Sequence, residues 1–151
     1  MTKVLFVGLG GVGQRHLRNL IALEPSSEVI ALRSVGRKFE ISNNLSAEFE
    51  TDIEQKFGIR LIVDMEHACV ERPDFAVVSN PSSLHVLTCV ELLAHDIPVF
   101  VEKPAATTRA DFDKLEAAGS RAKTPVMVGY QLRWHPCVQR LKALLDQKTI
   151  G

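Results

Sequence analysis

The stretch Val4-Leu5-Phe6-Val7-Gly8-Leu9-Gly10-Gly11-Val12-Gly13 decides the fold. Its first four residues read as a strand buried on both faces, and beyond the glycines Leu17, Leu20 and Ile21 share one helical face. A strand, a glycine-rich turn and a helix in that order open a dinucleotide-binding βαβ unit. Gly8 permits the tight turn, Gly10 lets the backbone approach a pyrophosphate, and Gly13 lets helix and strand pack closely. Leu9, Gly11 and Val12 supply the backbone between them, and the helix start offers free N–H groups and a positive dipole end to the anion. The Gly-x-Gly-x-x-Gly spacing alone is weak. Its strand and helix context make a nicotinamide dinucleotide the expected ligand, against S-adenosylmethionine in a methyltransferase of similar fold or no ligand at all.

Outward from the turn, short apolar runs recur at Val29–Leu32, Leu61–Val63, Phe75–Val78, Val99–Val101 and Val126–Val128. Between them lie segments of helical period, clearest in Leu84-Val86-Leu87-Val90-Leu92-Leu93, in Phe112-Leu115-Ala118 and in Val138-Leu141-Leu144-Leu145. Such alternation predicts an α/β fold: a doubly wound, mostly parallel Rossmann-type sheet with helices on both faces. The polar region 35–51 is expected to be a loop leading into a helix over about Ala47 to Phe57. A chain of 151 residues suits one domain spanning 1–151, burying roughly 68–70% of its unfolded surface.

Eighteen basic and eighteen acidic residues are interspersed without a basic stripe, so nucleic acid is not an expected partner. No apolar run approaches the roughly 20 residues that span a bilayer, and Met1-Thr2-Lys3 runs straight into the first strand without a signal-peptide cleavage region. Neither a membrane nor a secretory route is expected, and the cytoplasm is the predicted location. Cys69, Cys89 and Cys137 are odd in number and widely separated in apolar helical contexts, as buried structural thiols rather than bridges or metal ligands would be.

Twenty positions beyond Gly13, where an NAD site usually carries a carboxylate for the ribose 2′-hydroxyl, the chain reads Arg33-Ser34-Val35-Gly36-Arg37. Two guanidiniums and a hydroxyl suit a 2′-phosphate, which favours NADP(H) over NAD(H); the plainer alternative is that Arg33 and Arg37 are solvated surface charges.

Polar groups gather at the ends of the later strands: Ser79-Asn80-Pro81-Ser82-Ser83-Leu84-His85, Glu102-Lys103-Pro104, and Gly129-Tyr130-Gln131-Leu132-Arg133-Trp134-His135-Pro136. This is the edge of an open α/β sheet where ligands bind. A lysine at the mouth of a buried strand needs a task or a partner, so Lys103 is the candidate catalytic ammonium, a structural pair with Glu102 being the alternative. Pro104 restricts Lys103 to extended geometry, and the Lys103-Pro104 bond is as open to cis as to trans. His85 alone would be an ordinary helix-surface or core histidine.

On the glycine turn, Asn80-Pro81 with His85 four residues after the proline, Pro98–Pro104 and Gly129–Pro136, the sequence resembles the Gfo/Idh/MocA oxidoreductase family along nearly its whole length. The resemblance implies that Lys103 lies by the nicotinamide and the reacting carbon of a sugar or cyclitol, where it polarises or protonates the substrate oxygen. It also implies that Glu102 contacts the nicotinamide ribose, that Ser79, Asn80, Pro81 and His85 line the cofactor cleft, and that Arg133 and Trp134 approach the nicotinamide end.

Members of that family carry a second α/β domain supplying a catalytic Asp-x-x-x-His set, most of the substrate pocket and the usual dimer sheet. This chain stops at Asp146-Gln147-Lys148-Thr149-Ile150-Gly151 without it. Cofactor binding without useful turnover is therefore expected, because hydride transfer needs a substrate held in a closed pocket, and oligomerisation is expected to run through the missing domain. A nucleotide-sensing module without turnover is the alternative function. A methyltransferase would leave Glu102-Lys103-Pro104 without a role. The substrate stays open among sugars, sugar nucleotides, cyclitols and dihydrodiols.

Overall fold

The computed structural model describes residues 1–33 and 38–150. In chain order its strands are β1 (Lys3–Val7), β2 (Glu28–Leu32), β3 (Phe39–Ile41), β4 (Ala47–Asp52), β5 (Arg60–Ile62), β6 (Phe75–Val78), β7 (Val99–Val101) and β8 (Val126–Val128). Six of them form one parallel sheet in the order β5-β2-β1-β6-β7-β8, with Val4 paired to Val29 on one side and to Phe75 on the other. The strand order reverses between β1 and β6, and the carboxyl ends of those two strands flank the crevice where doubly wound sheets bind ligands.

Period-two alternation splits the core between the two faces. Val4 and Phe6 join Leu17 of α1 (Gly11–Leu23) and Ile53 of α2 (Ile53–Phe57). Leu5 and Val7 join Cys69 of α3 (Met65–Val70), Leu92 of α4 (His85–Ala94) and Leu115 of α5 (Arg109–Arg121). At the opposite end of the sheet, Glu71 accepts from Arg60 and Lys3 at 2.6 and 2.9 Å. The Arg60 guanidinium first, and then Lys3, hold its carboxyl down at about 2.

The helix expected over Ala47 to Phe57 is replaced by a hairpin. Phe39–Ile41 pairs antiparallel with Ala47–Asp52, and the Phe39 and Phe49 rings meet at 4.9 Å. Only α2 is helical, and it begins where Asp52 accepts from the Glu54 and Gln55 N–H groups. The acidic stretch Ala47–Asp52 has helix-like composition, but β3 supplies its backbone partners and overrides that preference. The hairpin is tied to α1: Gln14 donates to the Phe39 carbonyl at 3.2 Å and accepts from the Ile41 N–H at 2.6 Å, while Arg18 donates to the Ile41 carbonyl at 2.8 Å.

One further expectation needs correction. Cys69 and Cys89 are buried, but Cys137 is exposed on α6 (Pro136–Asp146). That helix exists as its period demanded, and Val138, Leu141 and Leu145 stay about half exposed, because α6 packs mainly against the single turn η2 (Gln131–Trp134) and contributes no residue to either core cluster. Burial pushes the Cys89 thiol up to about 12 and raises that of Cys69 as well. Since the thiolate is the nucleophile, iodoacetamide is expected to label Cys137 in the folded chain and to spare the other two until denaturant is added, as peptide mass mapping will show. Among the described residues no helix is long and apolar enough to cross a membrane, and no cluster of side chains could hold a metal ion.

Candidate functional site

The site is a row of backbone groups at consecutive strand ends. The N–H of Gly8 donates to Leu32, that of Ser79 to Val7, that of Glu102 to Val78 and that of Gly129 to Val101, all within 3.0 Å. Each residue just past a strand is thus fastened to the last residue of the neighbouring strand. Four separate loops are held to one edge in this way.

At Gly8 the chain turns with φ +92°, a conformation glycine adopts freely. A Cβ there would sit 2.7 Å from the Asn80 nitrogen, and one on Gly13 would sit 2.5 Å from the Gly8 oxygen and 2.6 Å from Ser79 Oγ, which itself donates to that oxygen. Gly10 differs, because a Cβ on it would meet nothing within 4 Å. The turn is therefore packed tight behind Gly8 and Gly13 and open in front of Gly10. No side chain caps α1 and no acidic residue lies in its first turn, so its leading N–H groups have neither a competing acceptor nor a repelling charge. An anionic pyrophosphate fits this cradle on shape and on charge.

Arg33 is not a solvated surface charge. Its side chain is 8% exposed and its Nη1 lies 3.4 Å from Glu54 Oε1 on α2, with Lys38 on the other Glu54 oxygen at 3.3 Å. A carboxylate absent from the Arg33 segment is thus brought beside it by a later helix. Ser34 and Arg37 lie outside the described residues.

Beyond the turn, Asn80 Nδ2 donates to Thr88 at 2.9 Å, and its Oδ1 is buried without a hydrogen-bond partner among the described residues. Pro81 leads into the single turn Ser82–Leu84. His85, expected to line the cleft, does not: its ring is 2% exposed and sits between two carbonyl oxygens, with Nδ1 at 2.8 Å from Pro104 and Nε2 at 2.9 Å from Asn80. The position at the start of α4 turns the ring into the protein.

At the end of β7, Glu102 lies on the α1 side of the sheet and Lys103 is exposed, with a cis peptide to Pro104. Both Glu102 oxygens are engaged, one by His16 Nε2 at 2.7 Å and the other by the Lys103 N–H at 3.2 Å. His16 also sets its ring edge against Phe100 at 5.1 Å. His16, Phe100, Glu102, Gly129, Arg133 and Trp134 line a cleft of about 510 Å³. Gly129 makes room there, since a Cβ on it would lie 3.0 Å from Phe100 and 3.2 Å from Glu102. Arg133 and Trp134 are on the exposed turn η2.

Reading the motifs alone passes over His16 and Glu54. A usable signal existed for His16, which follows the sheet-facing Gly13 by three positions and so shares its face of α1.

Residues 2–130 match the oxidoreductase family described as an NAD-binding Rossmann fold, Gfo/Idh/MocA. The chain belongs to that family. Over 148 residues it is 30% identical to an inositol 2-dehydrogenase of Gluconacetobacter diazotrophicus, covering 96% of this chain and 41% of that protein. Among solved structures it resembles the WlbA dehydrogenase of Bordetella pertussis, in complex with NADH and UDP-GlcNAcA, with a TM-score of 0.79 at 21% identity, over 99% of this chain and 41% of that one. The myo-inositol 2-dehydrogenase of Lactobacillus plantarum superposes equally well, with a TM-score of 0.79 at 19% identity over 99% of this chain and 42% of that one. The chain thus spans about two fifths of the length of these Gfo/Idh/MocA relatives, and it carries their NAD-binding domain.

Proposed function

We propose that this chain is the cofactor domain of an oxidoreductase that exchanges a hydride between a nicotinamide dinucleotide and a hydroxyl- or carbonyl-bearing carbon of a sugar, sugar nucleotide or cyclitol. The observation that carries this reading is the cradle closed behind Gly8 and Gly13 and open at Gly10, with Lys103 exposed at the end of β7, two strands from β1 on the same sheet edge. The first-turn N–H groups of α1 and the backbone of residues 8–13 hold the pyrophosphate, and Ser79, Asn80 and Pro81 border the nicotinamide half. The bound cofactor supplies the hydride chemistry. Lys103 supplies a proton or hydrogen bond to the substrate oxygen, while Arg133 and Trp134 close the outer wall.

A preference for NADP(H) over NAD(H) is part of the proposal, and it rests on the sequence Arg33-Ser34-Val35-Gly36-Arg37, whose guanidiniums and hydroxyl suit a 2′-phosphate. Turnover belongs to a cytoplasmic protein in which this domain is joined to a second α/β domain that completes the substrate pocket and mediates oligomerisation, with no role for nucleic acid or membrane.

Titrating the chain with NADPH, NADH and S-adenosylmethionine while following thermal unfolding tests the reading. At about 100 times its dissociation constant, the true ligand adds roughly 2.7 kcal/mol of stability, or about 5–10 °C for a domain of this size. NADPH is expected to give the larger shift and S-adenosylmethionine none. No shift with either nicotinamide dinucleotide refutes the proposal.

A further inference from the structure

Lys103 is exposed, and its ammonium forms no ion pair among the described residues, so nothing on its own side chain fixes where it points. The residues on either side of it are fixed, and each is held by a histidine from a different face of the sheet. From α1, His16 donates to Glu102 Oε1, and the second oxygen of that carboxylate takes the Lys103 N–H. From the start of α4, the buried His85 ring reaches the Pro104 carbonyl, and its other nitrogen faces the Asn80 carbonyl past the end of β6.

We infer that His16 and His85 are positioning residues that together hold Lys103 at the mouth of the cleft, His16 through the Glu102 carboxylate and His85 through the Pro104 carbonyl. The role of Lys103 rests on the function proposed above; the bracing of its backbone does not. Imidazole suits the task because it is rigid and presents a nitrogen at each edge, so one ring lies between the loops after β6 and β7 with its N–H able to donate to the carbonyl of either. Proline suits the far end of the brace, since it has no N–H and its ring limits φ, which leaves the carbonyl as the point of attachment. Removing His85 would leave a part-buried carbonyl, of Pro104 or Asn80, without its donor, and removing His16 would free the Glu102 carboxylate from the only side chain among the described residues that binds it.

The test is ¹⁵N relaxation at the Lys103 amide of the chain in His16→Phe and His85→Leu, with His16→Gln and His85→Gln as rescues that keep an N–H donor. The Lys103 order parameter is expected to fall from about 0.85 to below about 0.6 in the first pair, with the β1 and β6 amides unchanged, and to recover in the second. An unchanged Lys103 amide in a folded variant overturns the inference. So does loosening spread evenly over the sheet, which marks a merely structural role. If His85→Leu does not fold, His85→Gln decides alone: Lys103 as rigid as in the parent upholds the brace, and a mobile Lys103 on an otherwise rigid sheet overturns the idea that a donor here suffices. A second readout is acylation of the Lys103 amine with and without saturating NADH. NADH is expected to slow it severalfold in the parent chain and hardly at all in His16→Phe. If NADH gives no protection in the parent while the amide behaves as described, the functional reading fails and the brace stands.

Discussion

Gly10→Ala is expected to fold like the parent chain and to lose at least about tenfold in affinity for NAD(P)H, or roughly 1.4 kcal/mol. The backbone at Gly10, with φ −69° and ψ −175°, is one that alanine adopts without strain, and the added methyl meets no protein atom, so stability should stay within about 0.5 kcal/mol. The methyl would instead enter the open space that the proposed function assigns to the pyrophosphate. Gly8→Ala and Gly13→Ala should behave in the opposite way. At Gly8 a positive φ and a contact of 2.7 Å with the Asn80 backbone combine, and at Gly13 the methyl would press on the Gly8 carbonyl at 2.5 Å. Strain and overpacking of about 1–3 kcal/mol each put the loss at Gly8 at roughly 2–6 kcal/mol, and overpacking alone puts it at about 1–3 kcal/mol at Gly13, a large part of the stability of a domain. Thermal unfolding paired with calorimetric titration of NADH separates the two classes. Parent-like affinity in Gly10→Ala would remove the pyrophosphate from this turn.

In the two-domain protein proposed above, Lys103→Ala is expected to lower kcat by about 10²–10⁴-fold, the usual contribution of a positioned proton donor. The affinity for NAD(P)H should change little, because the cradle at residues 8–13 lies two strands away and the backbone beyond β7 remains tied to Val78. Pre-steady-state hydride transfer, followed by nicotinamide absorbance, checks the first claim and fluorescence titration the second. Turnover within about tenfold of the parent would take proton transfer away from Lys103.

Much of this was readable from residue order. The apolar runs at Val4–Val7, Phe75–Val78, Val99–Val101 and Val126–Val128 coincide with strands because buried parallel strands admit few other sequences. Glycines 8 and 13 are packed against backbone as their spacing suggests, and Gly10 faces open space. Local sequence failed where a partner distant along the chain decides the state. Ala47–Asp52 is a strand because of Phe39–Ile41, and Arg33 is neutralised by Glu54, 21 positions on, across a segment with no fixed spacing. His85 was legible as a residue near the strand ends but not as a buried one. Its environment is created by Pro104, at the end of another strand.

The pairing of Val4 with Phe75 has a consequence for synthesis. β1 acquires β2 as a neighbour almost at once, but its other edge has no partner until β6 is made. At about 5–20 residues per second, the interval between Leu32 and Phe75 lasts roughly 2–9 s. Throughout it the apolar strand Val4–Val7 presents an open edge that any similar strand can extend. The vulnerable moment for this chain therefore comes on the ribosome, before Phe75–Val78 emerge, and slowing translation between the two strands prolongs it.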